Sequence, residues 1–201
     1  MSPQLKKFLV DRSTGQPTSA LDPLCEEMFL MYMSDVNSST LREAITVLVA
    51  GYDPVAGKKG RDAVDVITGK PKEAKPKSYT PGKSSNGRCV FSDYTRERMN
   101  KDMEEDLDII HSLFVGDRLA YVVEFNILAP QPKLEEQIRL ECEAKGQRYV
   151  RSCHWTYKEW IHHPSTKIHY IDWNLINSNK GCINKNMHKA FQARSLVSLM
   201  G

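Results

Sequence analysis

Alternating apolar and polar residues divide the chain into stretches with helical and with extended periodicity. Near the amino terminus, apolar residues at helical spacing predict a helix from Pro23 to about Met33, with Asp22 as its N-cap. The apolar stripe extends almost all the way round this helix, which leaves little polar surface for solvent. We therefore expect the helix to be buried, either in the core or against a second subunit, and the pattern leaves both open.

Further stretches also have helical periodicity. A capping box formed by Thr40 and Glu43 predicts a helix that ends at Gly51. Ser92 is the expected N-cap of a long acidic helix from Asp93 to about Phe114, whose carboxylates should form a solvated face. Two later patterns predict a helix from Leu134 to Gly146 and a basic helix or tail from Lys185 to Met200.

The strongest extended pattern is the nearly continuous apolar run from Arg118 to Leu128. Such a run is typical of a central strand that is covered on both faces, so we expect a structural role for the one acid within it, Glu124. Two more strands are predicted from Arg148 to Tyr157 and from Lys167 to Trp173. The combination predicts an α/β fold with a mixed central β-sheet flanked by helices.

Composition narrows the class of protein. A chain of 201 residues with 40% hydrophobic and 26% charged residues suits one globular domain. No apolar run approaches the roughly 18 residues of a membrane span, and the first residues lack a signal-peptide pattern, so we expect a cytoplasmic protein without a membrane partner. The five cysteines include no Cys-x-x-Cys pair, which favours reduced thiols over disulfides or a zinc site.

Charge is distributed unevenly along the chain, although the net charge is only +3. Between Pro54 and Val90 there are nine Lys or Arg and three Asp or Glu, a local balance of +6. Between Asp93 and Asp108 there are three basic and seven acidic residues, a local balance of −4. A basic zone fits a polyanionic substrate, but lysines that only solvate loops would produce the same count.

The chemistry is concentrated in the stretch from Gly60 to Ser78, which reads as a β-hairpin. Its first strand runs from Asp62 to Ile67, a turn with Gly69 and Pro71 follows, and its second strand carries Glu73, Ala74 and Lys75. Glu73 and Lys75 share a face because they are two residues apart, and ten intervening residues let the hairpin fold Asp62 back beside Glu73. Two carboxylates and an ammonium group are what metal-assisted phosphodiester hydrolysis needs. The spacing alone also fits an exposed hairpin with solvated charges.

The hairpin and its lead-in resemble the PD-(D/E)xK nuclease superfamily, and within it the PvuII-like branch of type II restriction endonucleases. The resemblance covers about Gly57 to Arg88. Its matching residues are Gly57, Gly60, Asp62, Ala63, Val64, Asp65, Glu73 and Lys75. There are two departures. Lys59 stands where the relative has an acidic residue, and Pro76 follows the lysine, which suggests an early end to strand pairing there.

The resemblance implies a restriction-endonuclease-like fold and a Mg²⁺-dependent, sequence-specific endodeoxyribonuclease acting on double-stranded DNA as a homodimer. It implies Asp62, Glu73 and Lys75 as the catalytic residues. One or two Mg²⁺ ions per site would be held by Asp62, Glu73 and the carbonyl of Ala74, and no organic cofactor is expected. Glu43 is either an additional ligand or only a helix-capping residue.

The loop from Pro76 to Arg88 contains side chains that read base edges. The resemblance implies DNA contacts by Lys77, Lys83, Ser84, Ser85, Asn86 and Arg88, whereas the composition also fits a plain surface loop. The His- and Trp-rich C-terminal third fits strands with polar tips over a core, a DNA contact or, with less support from its spacing, a zinc site.

We therefore expect residues 1–201 to form a single nuclease domain. Its helical N-terminal part would be 1–51, with a possible role in dimerisation, its catalytic core 52–128, and its C-terminal part 129–201, with a possible role in DNA recognition. Two alternatives remain open. One is a homing or structure-specific nuclease of the same superfamily, and the other is a non-catalytic DNA-binding protein.

Overall fold

The computed structural model describes residues 1–18, 23–34, 39–55 and 61–198. Its helices are α1 (Pro3–Thr14), α2 (Pro23–Ser34), α3 (Ser39–Val49), α4 (Arg96–Glu104), α5 (Gln131–Ile138, continued by a π-helical turn, Arg139–Glu143), α6 (Tyr157–Trp160), α7 (Trp173–Ser178) and α8 (Lys185–Ser198). Its strands are β1 (Ala63–Val64), β2 (Pro71–Ser78), β3 (Cys89–Tyr94), β4 (Asp108–Val115), β5 (Arg118–Asn126), β6 (Val150–Trp155) and β7 (Lys167–Ile171).

Five strands form a central mixed sheet in the order β1-β2-β4-β5-β7. Strand β2 runs parallel to β4, and the other neighbours are antiparallel. The remaining strands, β3 and β6, pair with each other as a separate antiparallel ribbon. The prediction of an α/β fold with a mixed sheet flanked by helices is confirmed.

Each face of the sheet is covered by its own hydrophobic core. On β4, Ile109 and Leu113 pack into a cluster with the β3–β6 ribbon and the C-terminal helices. On the other side, Ile110 and Phe114 pack against α1, α2 and α3. Because both faces are covered, β4 and β5 are buried at nearly every position, as the Arg118–Leu128 pattern predicted for β5.

The described side chains of helix α2 divide into a buried and an exposed side. Phe29 and Met33 are buried against the N-terminal core, while Leu30, Met31 and Tyr32 are exposed. The expectation that the whole helix is buried within the chain is therefore wrong for its outer side, and the alternative of a subunit interface stays a prediction. Across the part of the chain that is described, none of the helices combines the length and apolar character needed to span a bilayer.

The prediction of one long helix over residues 93–114 is wrong. Helix α4 covers only its first part, and its N-cap is Thr95 rather than Ser92, since the Thr95 hydroxyl accepts a hydrogen bond from Arg98 N at 3.1 Å. The chain then turns at Asp106, which has a φ of 51°, and continues as strand β4. The helical stripe was misleading because the apolar pairs Ile109-Ile110 and Leu113-Phe114 are four residues apart, as on an amphipathic helix, although both faces of β4 are buried.

Pro76 does not end strand pairing, contrary to the expectation. Strand β2 stays in register with β4 as far as Ser78 and Phe114. Backbone groups of consecutive residues point to opposite edges of a strand, so residues two apart share an edge. Ala74 N points towards Asp62, so the nitrogen of Pro76 points to the same outer edge, beyond the end of β1, where no ladder hydrogen bond is lost.

Three smaller predictions also have outcomes. The first hairpin strand is shorter than predicted, because only Ala63 and Val64 pair with β2. Helix α3 begins at Ser39, so Thr40 lies inside the helix and is not its N-cap. The predicted reduced thiols are confirmed for the described cysteine side chains, Cys89, Cys142, Cys153 and Cys182.

Candidate functional site

A rigid hairpin turn positions the first predicted site residue. Asp65 Oδ1 accepts hydrogen bonds from Ile67 N at 2.8 Å and Thr68 N at 3.2 Å, and Gly69 adopts a φ of 72°, which glycine tolerates without strain. The resulting β1–β2 register pairs Ala63 with Lys72. Continued by one residue, this register places Asp62 opposite Glu73, as the hairpin spacing predicted.

Asp62, Glu73 and Lys75 lie together at this edge of the sheet, and we refer to them as the edge cluster. Asp62 Oδ2 accepts a hydrogen bond from Ala74 N at 2.7 Å. Lys75 Nζ donates to Glu73 Oε1 at 2.5 Å, so the two side chains share one face of β2. The edge cluster therefore combines two carboxylates and one ammonium group, and Glu73 is only 9% exposed.

The backbone carbonyl of Ala74 lies at the same edge. In a strand, the N–H and C=O groups of one residue point to the same side. Since Ala74 N points to Asp62, the carbonyl of Ala74 points there too. Strand β1 pairs only as far as Lys72, so no strand of the described residues covers the edge beside Ala74. All three predicted metal ligands are thus oxygen donors on one edge, and such hard donors suit Mg²⁺.

Asp62 carries uncompensated negative charge. Burial raises the pKa of Asp62, the nearby Glu73 raises it further, and together they bring it to about 6 despite the hydrogen bond from Ala74 N. Glu43 of α3 also raises this pKa, which shows that the glutamate lies close enough to act on Asp62 electrostatically. A divalent cation would relieve this repulsion, so the residues present fit a bound Mg²⁺ ion.

Arg61 is a neighbour of the site that the sequence patterns did not indicate. Its Nη2 atom lies 2.5 Å from Asp102 Oδ1 and 2.6 Å from Glu105 Oε2 on α4, while Nη1 is 4.0 Å from Glu73 Oε2. Asp102 is 1% exposed, so the expectation of a fully solvated acidic face is wrong for this residue. The ion pair between Arg61 and Asp102 ties the segment next to Asp62 to α4. The sequence contains no signal for this long-range contact.

Below Lys75, two buried side chains connect the strand to the loop that follows it. His111 Nδ1 lies 2.7 Å from Lys75 O, and its Nε2 lies 2.9 Å from the Tyr121 hydroxyl. Burial lowers the pKa of His111 to about 4, so the ring is neutral at pH 7 and Nδ1 is the donor to the carbonyl. The Tyr121 hydroxyl in turn hydrogen-bonds Ser85, one of the predicted DNA contacts.

Most of the other predicted DNA contacts lie on the surface. The exposed residues are Lys77, Lys83, Ser84, Asn86 and Arg88, whereas Ser85 is half-buried. The loop is firmly seated, because Gly87 has a φ of 63° and a Cβ there would lie 2.9 Å from Trp160. Gly57, Lys59 and Gly60 of the resemblance lie outside the described residues.

A second charged cluster lies on the opposite face of β2, and we call it the buried cluster. Lys72 Nζ donates to Asp108 Oδ2 and to Glu124 Oε1, both at 2.7 Å. Glu124 also contacts His169 at 2.6 Å and accepts from the Tyr52 hydroxyl at 3.0 Å. Each charge in this cluster has an opposite partner, which supports the structural role expected for Glu124.

Histidines and cysteines of the C-terminal third do not assemble. Within the part of the chain that the structure describes, no three His, Cys, Asp or Glu side chains are placed to hold a metal ion together. His169 bonds Glu124, His163 bonds Ser165, and Cys153 is buried in the core. Any ion at the edge cluster would therefore depend on two carboxylates and a carbonyl rather than on three acidic side chains.

Comparison with known proteins does not assign the chain to a family. No protein-family model matches the chain, and no curated protein matches it. The residues of the edge cluster and its surroundings are therefore the basis for inferring the function.

Proposed function

We propose that the chain is a Mg²⁺-dependent endonuclease that hydrolyses phosphodiester bonds of double-stranded DNA in a sequence-specific way, like a type II restriction endonuclease. The observation that carries this proposal is the edge cluster. Asp62 is held by the amide of Ala74 at 2.7 Å, and Lys75 lies 2.5 Å from Glu73. The proposal includes a homodimer, because a palindromic site has two equivalent strands to cut, and a cytoplasmic location.

The roles of the residues follow from their chemistry. Asp62, Glu73 and the carbonyl of Ala74 would hold one or two Mg²⁺ ions through oxygen atoms. Bound Mg²⁺ would neutralise phosphate charge and lower the pKa of water. The ammonium group of Lys75 lies beside Glu73, where it can orient the attacking water or stabilise negative charge on the phosphoryl oxygens.

The direct test is incubation of the wild-type protein with mixed-sequence duplex DNA and Mg²⁺, followed by sequencing of the ends. We expect cut ends at a defined sequence. In Glu73→Gln, cleavage should fall by roughly 1,000-fold or more, since several kcal/mol of transition-state stabilisation would be lost. Glu136→Gln is the matched control, because Glu136 is an exposed glutamate on α5 that pairs with Lys133.

The outcomes separate the alternatives. Short palindromic cut sites would support the restriction-like assignment, whereas long or asymmetric sites would assign a homing or structure-specific nuclease. DNA binding without cleavage in the presence of any divalent cation would identify the chain as a non-catalytic DNA-binding protein. Equal activity of Glu73→Gln and Glu136→Gln would show that the edge cluster is not the catalytic site.

A further inference from the structure

Two segments that are distant in the sequence form one continuous surface next to the edge cluster. One is loop 79–88, which follows β2, and the other is segment 179–189, which leads into α8. Ser84 Oγ donates to Gly181 O at 2.6 Å, and Ser85 N donates to Cys182 O at 2.9 Å. Asn184 N donates back to Ser85 O at 2.8 Å, which completes a short parallel bridge. We call these two segments the joint surface.

The joint surface is anchored to the core rather than loosely attached. Cys182, Ile183 and Met187 are buried in the C-terminal hydrophobic cluster. The Asn184 side chain caps α8 by accepting a hydrogen bond from Met187 N at 2.8 Å. Gly181 has a φ of 90°, a left-handed conformation that glycine adopts without strain.

The exposed charges on the joint surface are positive. Lys83, Lys180 and Lys185 are exposed and directly adjoin residues that join the segments. Among the described residues, none of these three lysines forms an ion pair, whereas Lys133 and Lys145 elsewhere on the surface each pair with a glutamate. Residues 173–201 contain no Asp or Glu.

The chemistry of the joint surface selects the kind of partner. None of its described residues is a large apolar side chain exposed to solvent, which argues against a membrane or an apolar protein surface. Lysines interspersed with asparagine and serine instead suit a polyanion with hydrogen-bonding groups. A loop that reads bases also needs neighbouring phosphate contacts to fix its register on the duplex.

We propose that segment 179–189 is part of the DNA-binding surface and that Lys180 and Lys185 contact backbone phosphates beside the duplex region that loop 79–88 reads. The inference rests on the proposed function, because it takes DNA as the partner. It extends the contact surface beyond the loop and assigns a role to a C-terminal segment about 100 residues further along the chain.

The test is DNA binding by the full chain as a function of salt. A labelled 30-base-pair duplex is titrated by fluorescence anisotropy between about 50 and 200 mM KCl with Ca²⁺ in place of Mg²⁺, a range in which phosphate contacts change affinity strongly. For the double variant Lys180→Ala/Lys185→Ala, we expect the slope of log K against log salt to shrink by about 1.8, since each lost phosphate contact contributes about 0.9. Affinity near 100 mM salt should fall roughly tenfold.

Lys133→Ala/Lys145→Ala is the charge-matched control and should keep the wild-type slope. Thermal melts of all proteins report folding, and Lys180→Gln/Lys185→Gln replaces the alanine pair if that pair melts early. Equal slopes for the test and control variants would overturn the inference even if the wild type cleaves DNA. A reduced slope in a protein that never cleaves would uphold the inference and overturn the nuclease activity. A wild type that does not bind DNA at all would overturn both.

Discussion

Strand β2 carries two charged clusters on its two faces, and they differ in how their charges are balanced. Lys72 and Glu73 are consecutive, so Lys72 belongs to the buried cluster and Glu73 to the edge cluster. In the buried cluster, Lys72 lies between Asp108 and Glu124, and Glu124 is further satisfied by His169 and Tyr52. In the edge cluster, Lys75 and, at 4.0 Å, Arg61 pair with Glu73, whereas Asp62 accepts a hydrogen bond from the amide of Ala74.

The pKa values of the carboxylates separate the two clusters. Burial alone would raise the pKa of Glu124, but hydrogen bonds and charge from His169 and Lys72 outweigh burial and lower it to about 2. In the edge cluster, burial and Glu73 raise the pKa of Asp62 to about 6. Compensated charges are typical of structure, whereas repelling carboxylates in a partly open site are typical of function. Burial of charged groups therefore does not by itself indicate a functional site.

The largest expected difference between the clusters is the effect of removing their lysines. Lys72→Met leaves Asp108 and Glu124 buried without their cation, and it should lower the free energy of unfolding by about 3–5 kcal/mol. Lys75→Met should cost at most about 1 kcal/mol, because Lys75 is partly exposed, yet it should abolish cleavage. Urea unfolding of both variants measures the difference, and equal losses of stability would contradict the distinction.

The next largest effect on stability should come from lowering the pH, and it should arise in the buried cluster. Because the folded-state pKa of Glu124 lies below its unfolded value, its contribution is present above about pH 4.5 and is lost as the pH falls towards 2. Glu124→Gln should therefore lower the free energy of unfolding by about 2–3 kcal/mol at pH 7 and by progressively less towards pH 2. Unfolding measured between pH 7 and pH 2 tests this, with the exposed Glu136→Gln as a control that should track the wild type. A difference that does not vary with pH would mean that ionisation of Glu124 adds nothing to stability.

The smallest predicted effect is an increase in stability rather than a loss, and it concerns Asp62 of the edge cluster. Because the folded-state pKa of Asp62 is raised, ionisation of Asp62 destabilises the fold as the pH rises from about 4 through about 6. Without divalent cations, Asp62→Asn should increase stability by about 1 kcal/mol at pH 8, after allowance for solvent screening, and by little near pH 4. Thermal melts in EDTA at both pH values measure it. A destabilised Asp62→Asn at pH 8 would show that the carboxylate is compensated after all.

Local patterns were sufficient for the hairpin and for β5. The turn with Gly69 and the ten residues between Asp62 and Glu73 are short-range features, so the edge cluster could be predicted before its geometry was known. The same kind of reasoning was wrong over residues 93–114, because strand β4 is covered on both faces while its apolar residues are spaced as on an amphipathic helix. Its pairing with β2 and β5 decided the conformation.

The β-hairpin with its two carboxylates and lysine follows from the amino-acid order, since strand alternation and loop length act over a dozen residues. Long-range packing was needed to bring Arg61 to Asp102, to place His111 beside Lys75, and to join loop 79–88 to segment 179–189. Charge compensation depends on distances between residues far apart in the chain. For this reason the charge balance around Lys72 and the charge imbalance around Asp62, beside opposite faces of β2, could not be deduced from their neighbours in sequence.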